Sequence, residues 1–257
     1  TLQFRNGFAL STIMHTKKIN GEWAKPEVAD FCGIYTDLEP AFSPDGKRLY
    51  FSSSRPVSGS KNKDFDIWYV TKTNGQWGNA ISLDSTVNSK EDEYYASVAR
   101  NGNIYFTRAV KNREEDIMVC RYDNGKYSTA ESLPDEINST GDEFNAFVDP
   151  DEKFIIYTGY KRKGNYGTGD LYISKKNNGV WSASKNMGEK INGAGITYCP
   201  YISADKKYFF FTSSRGIFKT PFAARLNFDD MKKLMHDPLN GSDNIYWMNA
   251  EEILKEE

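Results

Sequence analysis

Asn74-Gly75-Gln76-Trp77 is one copy of a four-residue motif, Asn-Gly-x-aromatic, that recurs along this chain. The other copies are Asn20-Gly21-Glu22-Trp23, Asn124-Gly125-Lys126-Tyr127 and Asn178-Gly179-Val180-Trp181. Their glycines lie 54, 50 and 54 residues apart. A period near 50 residues is typical of solenoids, arrays and propellers.

Each period carries the same further parts in the same order. A turn segment rich in Asp, Asn, Gly and Pro comes first, at 42–47, 98–102, 148–153 and 202–207. A short aromatic or β-branched run follows it, at 49–51, 104–106, 155–157 and 209–211. Pro and Asp favour tight reversals, and such apolar runs bounded by turns predict buried strands.

A third strand is predicted after a variable loop, opening with Asp or Asn at 66, 116, 170 and 244. The Asn-Gly pair then predicts a two-residue hairpin that returns the chain into a fourth, outer strand through the Trp. Four antiparallel strands per period make one blade of a β-propeller. The expected fold is therefore an all-β propeller, a single domain over 1–257 with repeats near 1–36, 37–90, 91–140, 141–194 and 195–257. Five blades are expected, with six as the alternative.

The two ends of the chain look incomplete as repeats. The stretch from Phe8 to Trp23 matches only the third and fourth strands, and the last copy ends without an outer strand. Because closure removes exposed edges, we expect a native chain that extends upstream of Thr1 by about one hairpin and closes the ring.

The motifs resemble a known family. Ser43-Pro44-Asp45-Gly46-Lys47, followed by 49–53 and Asp66-Ile67-Trp68, is similar to the WD40-like PD40 repeat. That repeat occurs in the TolB propeller and in propellers attached to OmpA-type envelope proteins. The resemblance implies a bacterial periplasmic or extracellular protein, secreted or lipid-anchored. It implies no particular activity, because similar repeats serve scaffolds, proteases and lyases.

Composition agrees with a soluble all-β chain: of 257 residues, 39% are hydrophobic and 14% aromatic. A net charge of −2 disfavours nucleic-acid binding. No apolar stretch is long enough to span a membrane. Cys32, Cys120 and Cys199 are too scattered for a disulfide framework or a zinc site, and we expect small buried residues instead. A monomer is expected.

Strand order places the longer loops at one face, which we call the loop face. It comprises the loops that enter the first strands and those that follow the second strands, and binding residues concentrate on such loops. The predicted binding residues are Glu39, Arg55, Glu93, Tyr95, Arg108, Glu143, Asn145 and Arg215. They would bind a polar ligand, a cation or a peptide terminus. The alternative is that they are solvated charges and salt bridges worth about 0–1 kcal/mol each.

An insertion at 216–243 lies on the same face in the last repeat. Phe228, Met231, Leu234 and Met235 have helical spacing, with acidic residues first and lysines later, which predicts a short amphipathic helix. Two roles are open: the helix caps the central channel, or it covers the edge of the last blade.

Two other repeated columns are interpreted structurally. The aromatic residue of each Asn-Gly motif is expected to pack rather than to bind sugar, because it recurs at one repeat position. Asp66, Asp116 and Asp170 are expected to accept hydrogen bonds from loop backbone.

Enzyme motifs are scarce. The chain has two histidines, His15 and His236, and lacks a nucleophile elbow, a phosphate loop and His-Glu-x-x-His. A carboxylate mechanism is the remaining catalytic possibility, since Asp37, Glu93 and Glu143 share one repeat column and a glycosidase pair needs about 5–9.5 Å between carboxyls. Residues that recur with the repeat usually serve the repeat.

The sequence therefore predicts a non-catalytic binding propeller of the bacterial envelope, whose partner is an envelope protein or a cell-wall component. The alternative is a carbohydrate-active hydrolase. No cofactor or metal is expected; calcium at the acidic loops is the less favoured alternative, because no Asp-x-Asp-x-Asp-Gly loop is present.

Overall fold

A computed structural model describes residues 2–3, 9–57, 64–110, 114–216, 222 and 224–255. Parts of the first repeat and of the insertion at 216–243 therefore lie outside the described residues. The chain divides into two compact units, Thr1–Leu133 and Pro134–Glu257. The expectation of a single domain stays a prediction.

Unit one opens with six two-residue strands: β1 (Leu2–Gln3), β2 (Ala9–Leu10), β3 (Met14–His15), β4 (Lys18–Ile19), β5 (Glu22–Trp23) and β6 (Glu27–Val28). They form three separate pairs, β1 with β2, β3 with β6, and β4 with β5. The described residues of this region therefore form no four-stranded sheet.

Two larger antiparallel sheets follow in unit one. Blade one contains β7 (Asp37–Phe42), β8 (Arg48–Ser53), β9 (Asp66–Thr73), β10 (Gln76–Trp77) and β11 (Ile81–Ser82). Blade two contains β12 (Glu93–Val98), β13 (Ile104–Ala109), β14 (Glu115–Cys120) and, after the small hairpin β15 (Tyr122–Asp123) and β16 (Lys126–Tyr127), β17 (Glu131–Ser132).

Unit two repeats the plan. Blade three contains β18 (Asp142–Val148), β19 (Phe154–Tyr160), β20 (Gly169–Asn177), β21 (Val180–Trp181) and β22 (Lys185–Asn186). Blade four contains β23 (Thr197–Ile202), β24 (Tyr208–Ser213) and β25 (Asn244–Asn249), with α1 (Phe228–His236) before β25 and α2 (Glu251–Leu254) after it. Among the described residues, blade four has three strands.

The prediction of antiparallel blades is confirmed, but the prediction of five blades, or of six, is wrong. The described residues form four blades, two in each unit. The count of five depended on an upstream hairpin expected to complete the first repeat, whose Asn-Gly motif belongs to the third and fourth strands only. A blade also needs the first two strands, and the described residues before Asp37 supply only two-residue pairs.

The outer strand also differs from the prediction. In blade one the strand that carries Trp77 pairs with the end of β9, whereas the separate strand β11 pairs with its middle, at Tyr69 and Trp68. The Asn-Gly turn thus makes a small flap. At its centre Asn74 has φ 51° and Gly75 has φ 83°, and the other copies are alike. Two left-handed residues in succession define the type I′ turn that suits a two-residue hairpin.

Aromatic and aliphatic side chains fill the space between neighbouring blades within each unit. In unit one, Tyr50 and Ile67 of blade one pack in a cluster with Ala96 and Phe106 of blade two. In unit two, blades three and four share a cluster of buried apolar residues. Its largest members are Phe147, Phe154, Ile156, Leu171, Ile202, Phe209 and Phe211. Ile253 of α2 packs into the same cluster.

Members of the repeated aromatic column differ in burial. Trp181 is buried and Trp77 is half-buried against Phe31 and Phe42, whereas Trp23 is 70% exposed. The column therefore packs where a complete blade surrounds it. Of the cysteines, Cys120 is buried and the other two are half-buried, and none of the three is in a disulfide bond.

A buried asparagine fastens each described loop between neighbouring blades of one unit. Asn88 Oδ1 accepts the N–H of Ile67 at 2.8 Å, and its Nδ2 donates to the carbonyl of the same residue at 3.1 Å. Asn192 makes the same pair of bonds with Leu171, at 2.7 and 3.0 Å. The side chain thus replaces a strand partner and ties the chain entering one blade to the third strand of the blade before it.

Every first strand carries a bulge three or four residues from its start. The register shifts within β7, β12, β18 and β23, and a left-handed non-glycine residue lies at each break: Glu39, Tyr95, Asn145 and Cys199, with φ of 55°, 50°, 51° and 51°. Such bulges re-aim side chains and recur beside functional sites.

Candidate functional site

The first three blades each contain a buried carboxylate paired with an arginine. The pairs are Asp37 with Arg55 at 2.7 Å, Glu93 with Arg108 at 2.7 Å, and Glu143 with Arg162 at 2.8 Å. The carboxylate side chains are 0% exposed and the arginine side chains 11–16%. In these three blades an acidic and a basic loop residue are therefore joined in a pair.

Strand pairing explains this geometry. The carboxylate lies at or near the start of the first strand, and the arginine lies at or just beyond the end of the second. Because the two strands are antiparallel, those positions meet: Glu93 is directly opposite Arg108, and Asp37 is opposite Ser53, two residues before Arg55. We call this end of each sheet the loop end.

The arginines also fasten the loop that enters their own blade. Arg55 Nη2 donates to the carbonyl of Phe31 at 3.0 Å, and Arg108 Nη2 donates to that of Val87 at 2.6 Å. Arg162 and Arg215 donate in the same way to Ile137 and Ile191. In every blade this carbonyl belongs to the residue six positions before that blade's residue in the carboxylate column, at 31, 87, 137 and 191. The arginine therefore recurs in all four blades.

Serine side chains complete the carboxylate contacts. The backbone N–H of Ser89 donates to Glu93 at 3.0 Å and its hydroxyl at 2.6 Å. Ser139 binds Glu143 identically, at 2.7 and 2.7 Å. In blade one the hydroxyl of Ser53 donates to Asp37 Oδ1 at 2.6 Å, while Oδ2 is buried without a partner among the described residues.

Burial sets the acidity of these groups. Burial raises the pKa of Glu93, and the hydrogen bonds from Ser89 and the charge of Arg108 act in the opposite direction. For Arg162, burial lowers the pKa, but Tyr157 and Glu143 outweigh it and the pKa is raised. Burial, followed by the nearby charge of Asp37, raises the pKa of the Cys32 thiol to about 12, so this cysteine is a poor nucleophile.

Blade four keeps the arginine but not the acid. Thr197 occupies the carboxylate position, and Gly193 occupies the position of Ser89 and Ser139. The hydroxyl of Thr197 lies 3.1 Å from that of Ser213, which accepts from Arg215 Nε at 3.2 Å. Within the described part of the chain, Arg215 has no carboxylate partner.

Two aromatic rings hold the Arg215 guanidinium. Its Cζ lies 5.3 Å from the centroid of Phe211 and 4.9 Å from that of Tyr246, both within cation–π range. Burial lowers the pKa of Arg215 below its ordinary value, and Tyr246 acts in the opposite direction. Arg162, in the blade that keeps its acid, has a raised pKa instead.

The remaining predicted residues lie on the bulges of the first strands. Glu39 Oε2 accepts the N–H of Tyr95 at 2.9 Å and the hydroxyl of Ser52 at 3.4 Å, so it links the two blades of unit one. Asn145 is buried and is the corresponding residue in unit two. The structure thus brings Glu39 to Tyr95, Glu93 to Arg108, and Arg55 to Asp37.

The predicted binding residues did not include Arg162, Ser89 or Ser139. A signal for the serines was present, because each directly follows the asparagine that fastens the loop. The arginine column was harder to find. Its separation from the carboxylate column is 18, 15 and 19 residues in blades one to three, so it does not keep a constant repeat position.

The Asp column at the start of the third strands shows two environments. Asp170 accepts from the N–H groups of Tyr166 and Gly167, at 2.7 and 3.2 Å, and from Asn186 Nδ2 at 2.8 Å. This is the predicted loop-backbone role. Burial, followed by repulsion from Asp64 and Glu93, raises the pKa of Asp66 to about 7.

The helix predicted in the insertion is α1. Asn227 caps it, accepting from the N–H of Asp230 at 2.9 Å. None of its residues is buried, and Phe228, Met231 and Met235 are 70%, 51% and 71% exposed. These three apolar side chains of α1 are therefore mostly exposed, while Leu234 is half-buried, and both predicted roles of the helix stay predictions.

The described residues contain no group of three or more His, Cys, Asp or Glu side chains placed to hold a metal ion. The calcium alternative stays a prediction. In that same part of the chain, neither α1 nor α2 is long and apolar enough to cross a membrane.

Known proteins resemble this chain in structure but not in sequence. No protein-family profile matches the sequence, and no curated protein matches it. A structure from Agrobacterium tumefaciens assigned as TolB has a TM-score of 0.54 at 14% identity, covering 92% of this chain and 70% of that one. TolB from Acinetobacter baumannii has a TM-score of 0.48 at 18% identity, covering 78% and 42%. The periplasmic gluconolactonase of Pseudomonas aeruginosa has a TM-score of 0.44 at 13% identity, covering 81% and 59%.

The protein is thus a β-propeller, and its blades have the TolB-like arrangement that the repeat motifs indicate. Identities this low show the fold alone. Function must therefore be argued from the residues at the loop ends of the blades.

Proposed function

We propose that this chain is a non-catalytic binding propeller of the bacterial envelope, periplasmic or extracellular, that docks a protein partner at the loop end of blade four. The observation that carries the proposal is the exposed apolar side of α1. We call this surface the α1 patch: Phe228, Met231 and Met235.

The α1 patch lies on one side of the helix, since its residues are three and four positions apart. Its exposures of 70%, 51% and 71% leave three large apolar side chains in water. Exposing them together costs free energy that burial against a partner recovers, and an amphipathic helix is a common docking element. Methionine also suits a docking surface because its flexible side chain adapts to different shapes.

Charge at the same end of the blade supports the proposal. Arg215 lies in the connection between β24 and β25 that also contains α1, so both belong to the loop end of blade four. In this proposal the arginine pairs of blades one to three hold the entering loops in place, and blade four presents the binding residues. The PD40-type motifs and the TolB-like fold support an envelope location.

The geometry counts against the hydrolase alternative. A general acid or base must exchange a proton with the substrate, whereas Glu93 and Glu143 are 0% exposed. Each accepts one bond from an arginine and two from a serine. The raised pKa of Glu93 is the one property that a catalytic acid shares, and its first cause is burial.

The proposal can be tested by cross-linking capture from a bacterial envelope extract. The bait proteins are the wild type, the double variant Met231→Ser with Met235→Ser, and Val180→Ser. Val180 is the matched control because it is 68% exposed and lies on the Asn-Gly flap of blade three, at the other end of the strands.

We expect the double variant to lose a captured protein that the wild type and Val180→Ser both retain. Equal capture by all three baits would contradict docking at the α1 patch. Because no residue of α1 is buried, the double variant should remain folded, and circular dichroism checks this.

A further inference from the structure

Blade four lacks both the acid that binds the arginine in blades two and three and the serine that binds that acid. Blades two and three contain a glutamate, a serine that donates twice to it, and an arginine that pairs with it. In blade four the glutamate is replaced by Thr197 and the serine by Gly193, while Arg215 is kept. The arginine also keeps its bond to the entering loop, at the carbonyl of Ile191.

We propose that Arg215 binds a carboxylate from outside this chain, which takes the place that Glu143 occupies in blade three. The source is an acidic side chain or the C-terminus of the docked protein. That the carboxylate comes from a docked protein rests on the proposed function, whereas carboxylate binding by Arg215 can be tested without any partner.

The guanidinium is already oriented. Its Nη2 donates to the carbonyl of Ile191, and its Nε donates to the hydroxyl of Ser213 at 3.2 Å. The rings of Phe211 and Tyr246 make cation–π contacts with the guanidinium. A guanidinium carries five N–H donors, and those that these acceptors leave unused suit the two oxygens of a carboxylate. Because the side chain is fixed in advance, little conformational entropy is lost on binding.

The loop beside Arg215 has a smaller residue than the serine of blade three. A Cβ added to Gly193 would lie 3.4 Å from Arg215 Cβ and 3.9 Å from its Nε, so the glycine backbone passes close to the arginine. Gly193 also stands where the N–H groups of Ser89 and Ser139 donate to their carboxylates. Thr197 ends in a hydroxyl that is held by Ser213, which leaves the carboxylate position itself without an acid.

Electrostatics favours an anion at this position. A half-buried cation without a counter-ion is unfavourable, because neutral acceptors and aromatic rings replace the lost hydration only in part. Burial accordingly lowers the pKa of Arg215. A carboxylate is preferred over phosphate because the same position holds a carboxylate in the other three blades, and a single arginine balances a single negative charge.

The test is a titration of the full chain with sodium acetate, followed by the arginine Nε–Hε signals in ¹⁵N NMR spectra. Sodium chloride is exchanged for acetate at constant ionic strength, and Arg215→Gln assigns the signal. We expect a saturable shift of the Arg215 signal, with no shift for Arg162, whose carboxylate is internal. Arg225→Gln, which removes an exposed arginine, should leave the response unchanged.

Thr197→Glu provides the sharpest variant, because it restores the internal acid of the other blades. Acetate affinity should fall about tenfold or more, since the added carboxylate competes for the same donors. Should this variant fail to fold, Arg215→Gln serves instead, with calorimetry of acetate binding as the readout.

Two isomeric probes then distinguish the sources. N-acetylglutamine carries its only carboxylate at the C-terminus, and N-acetylglutamic acid α-amide carries it on the side chain. Tighter binding of N-acetylglutamine would indicate a C-terminal carboxylate from the partner, and tighter binding of N-acetylglutamic acid α-amide would indicate an acidic side chain. An Arg215 signal that does not respond to acetate, responds equally to chloride, or responds more to inorganic phosphate would overturn the carboxylate site. Capture through the α1 patch would be unaffected by that result, so the two proposals fail separately.

Discussion

Blades three and four lie in the same unit and share a core, yet they hold their entering loops in different ways. In blade three the loop is tied by Arg162, and the charge of Arg162 is balanced by Glu143 at 2.8 Å. In blade four the loop is tied by Arg215 with no acid among the described residues. The second strand of blade three is followed by a short loop at 161–168, whereas that of blade four leads into the insertion with α1.

This difference separates two roles for one repeated residue. In blade three the arginine is satisfied internally, so it stabilises the blade and has little left to offer a ligand. In blade four the same bond to the entering loop persists, but no acid among the described residues balances the charge. The proposed carboxylate site would thus have arisen by removing the partner of a structural residue.

The largest expected effect is that of removing the acid in blade three. Glu143→Gln should lower the free energy of unfolding by about 3–5 kcal/mol, because it leaves the charge of Arg162 buried and unbalanced. Urea denaturation measures this. The control is Glu131→Gln, whose side chain is 59% exposed and lies 3.6 Å from Arg121, and which should cost less than about 1 kcal/mol. Equal losses in the two variants would show that the buried pair is no more important than a surface pair.

A second contrast concerns the Asp column of blades one and three. The pKa of Asp66 is raised to about 7 in the folded chain, whereas the ordinary value is 3.8. The folded state therefore holds this proton more tightly. The resulting stabilisation is fully present below about pH 4 and is lost as the pH rises through about 7, a change of up to about 4 kcal/mol.

Thermal unfolding between pH 4 and pH 7 tests this contrast. Asp66→Asn should remove that part of the pH dependence, because the amide does not titrate. Asp170→Asn should instead destabilise the protein throughout this range, because its carboxylate oxygens accept three hydrogen bonds and the amide supplies one acceptor oxygen fewer. If Asp66→Asn leaves the pH profile unchanged, Asp66 does not titrate in this range.

A smaller effect is expected from the arginine of blade four. Arg215→Ala should cost about 1–2 kcal/mol, through lost hydrogen bonds to neutral acceptors and lost packing on two rings. Arg162→Ala should cost about 3–5 kcal/mol, because it leaves Glu143 charged and buried. The two urea midpoints give the comparison. A loss at Arg215 as large as that at Arg162 would point to an internal acid for blade four.

The smallest effect is expected at α1. Met235→Ser should change the free energy of unfolding by less than about 0.5 kcal/mol, since the side chain is 71% exposed. A Tm shift of several degrees would mean that α1 packs on the protein in solution, which would remove the basis for docking there.

Much of the fold could be predicted because each turn and each buried strand has its own local sequence pattern. The Asn-Gly turns, the Pro-Asp turns and the apolar runs between them lie where the structure has hairpins, reversals and buried strands. Blade count could not be predicted in this way. The motif at Asn20 marks a hairpin that exists, β4 with β5, without the first two strands of a blade.

The candidate site could be predicted only as separate residues. Asp37, Glu93 and Glu143 formed a visible column, but their pairing depends on loops of different length that return to the same end of the sheet. Arg108 lies within β13, whereas Arg55 and Arg162 lie beyond the ends of their strands. Burial of these charges was also invisible, because charged loop residues are normally solvated.

The paired hydrogen bonds of Asn88 and Asn192 carry a lesson for protein engineering. They place the start of a transferable blade in the connecting loop, near Val87 or Ile191, and not at the first residue of the sheet. A chimera joined at Glu93 or Thr197 would keep the entering loop of the host protein in front of the transplanted blade. One joined upstream of the asparagine would transplant the first strand together with its own loop asparagine and the carbonyl that its arginine binds.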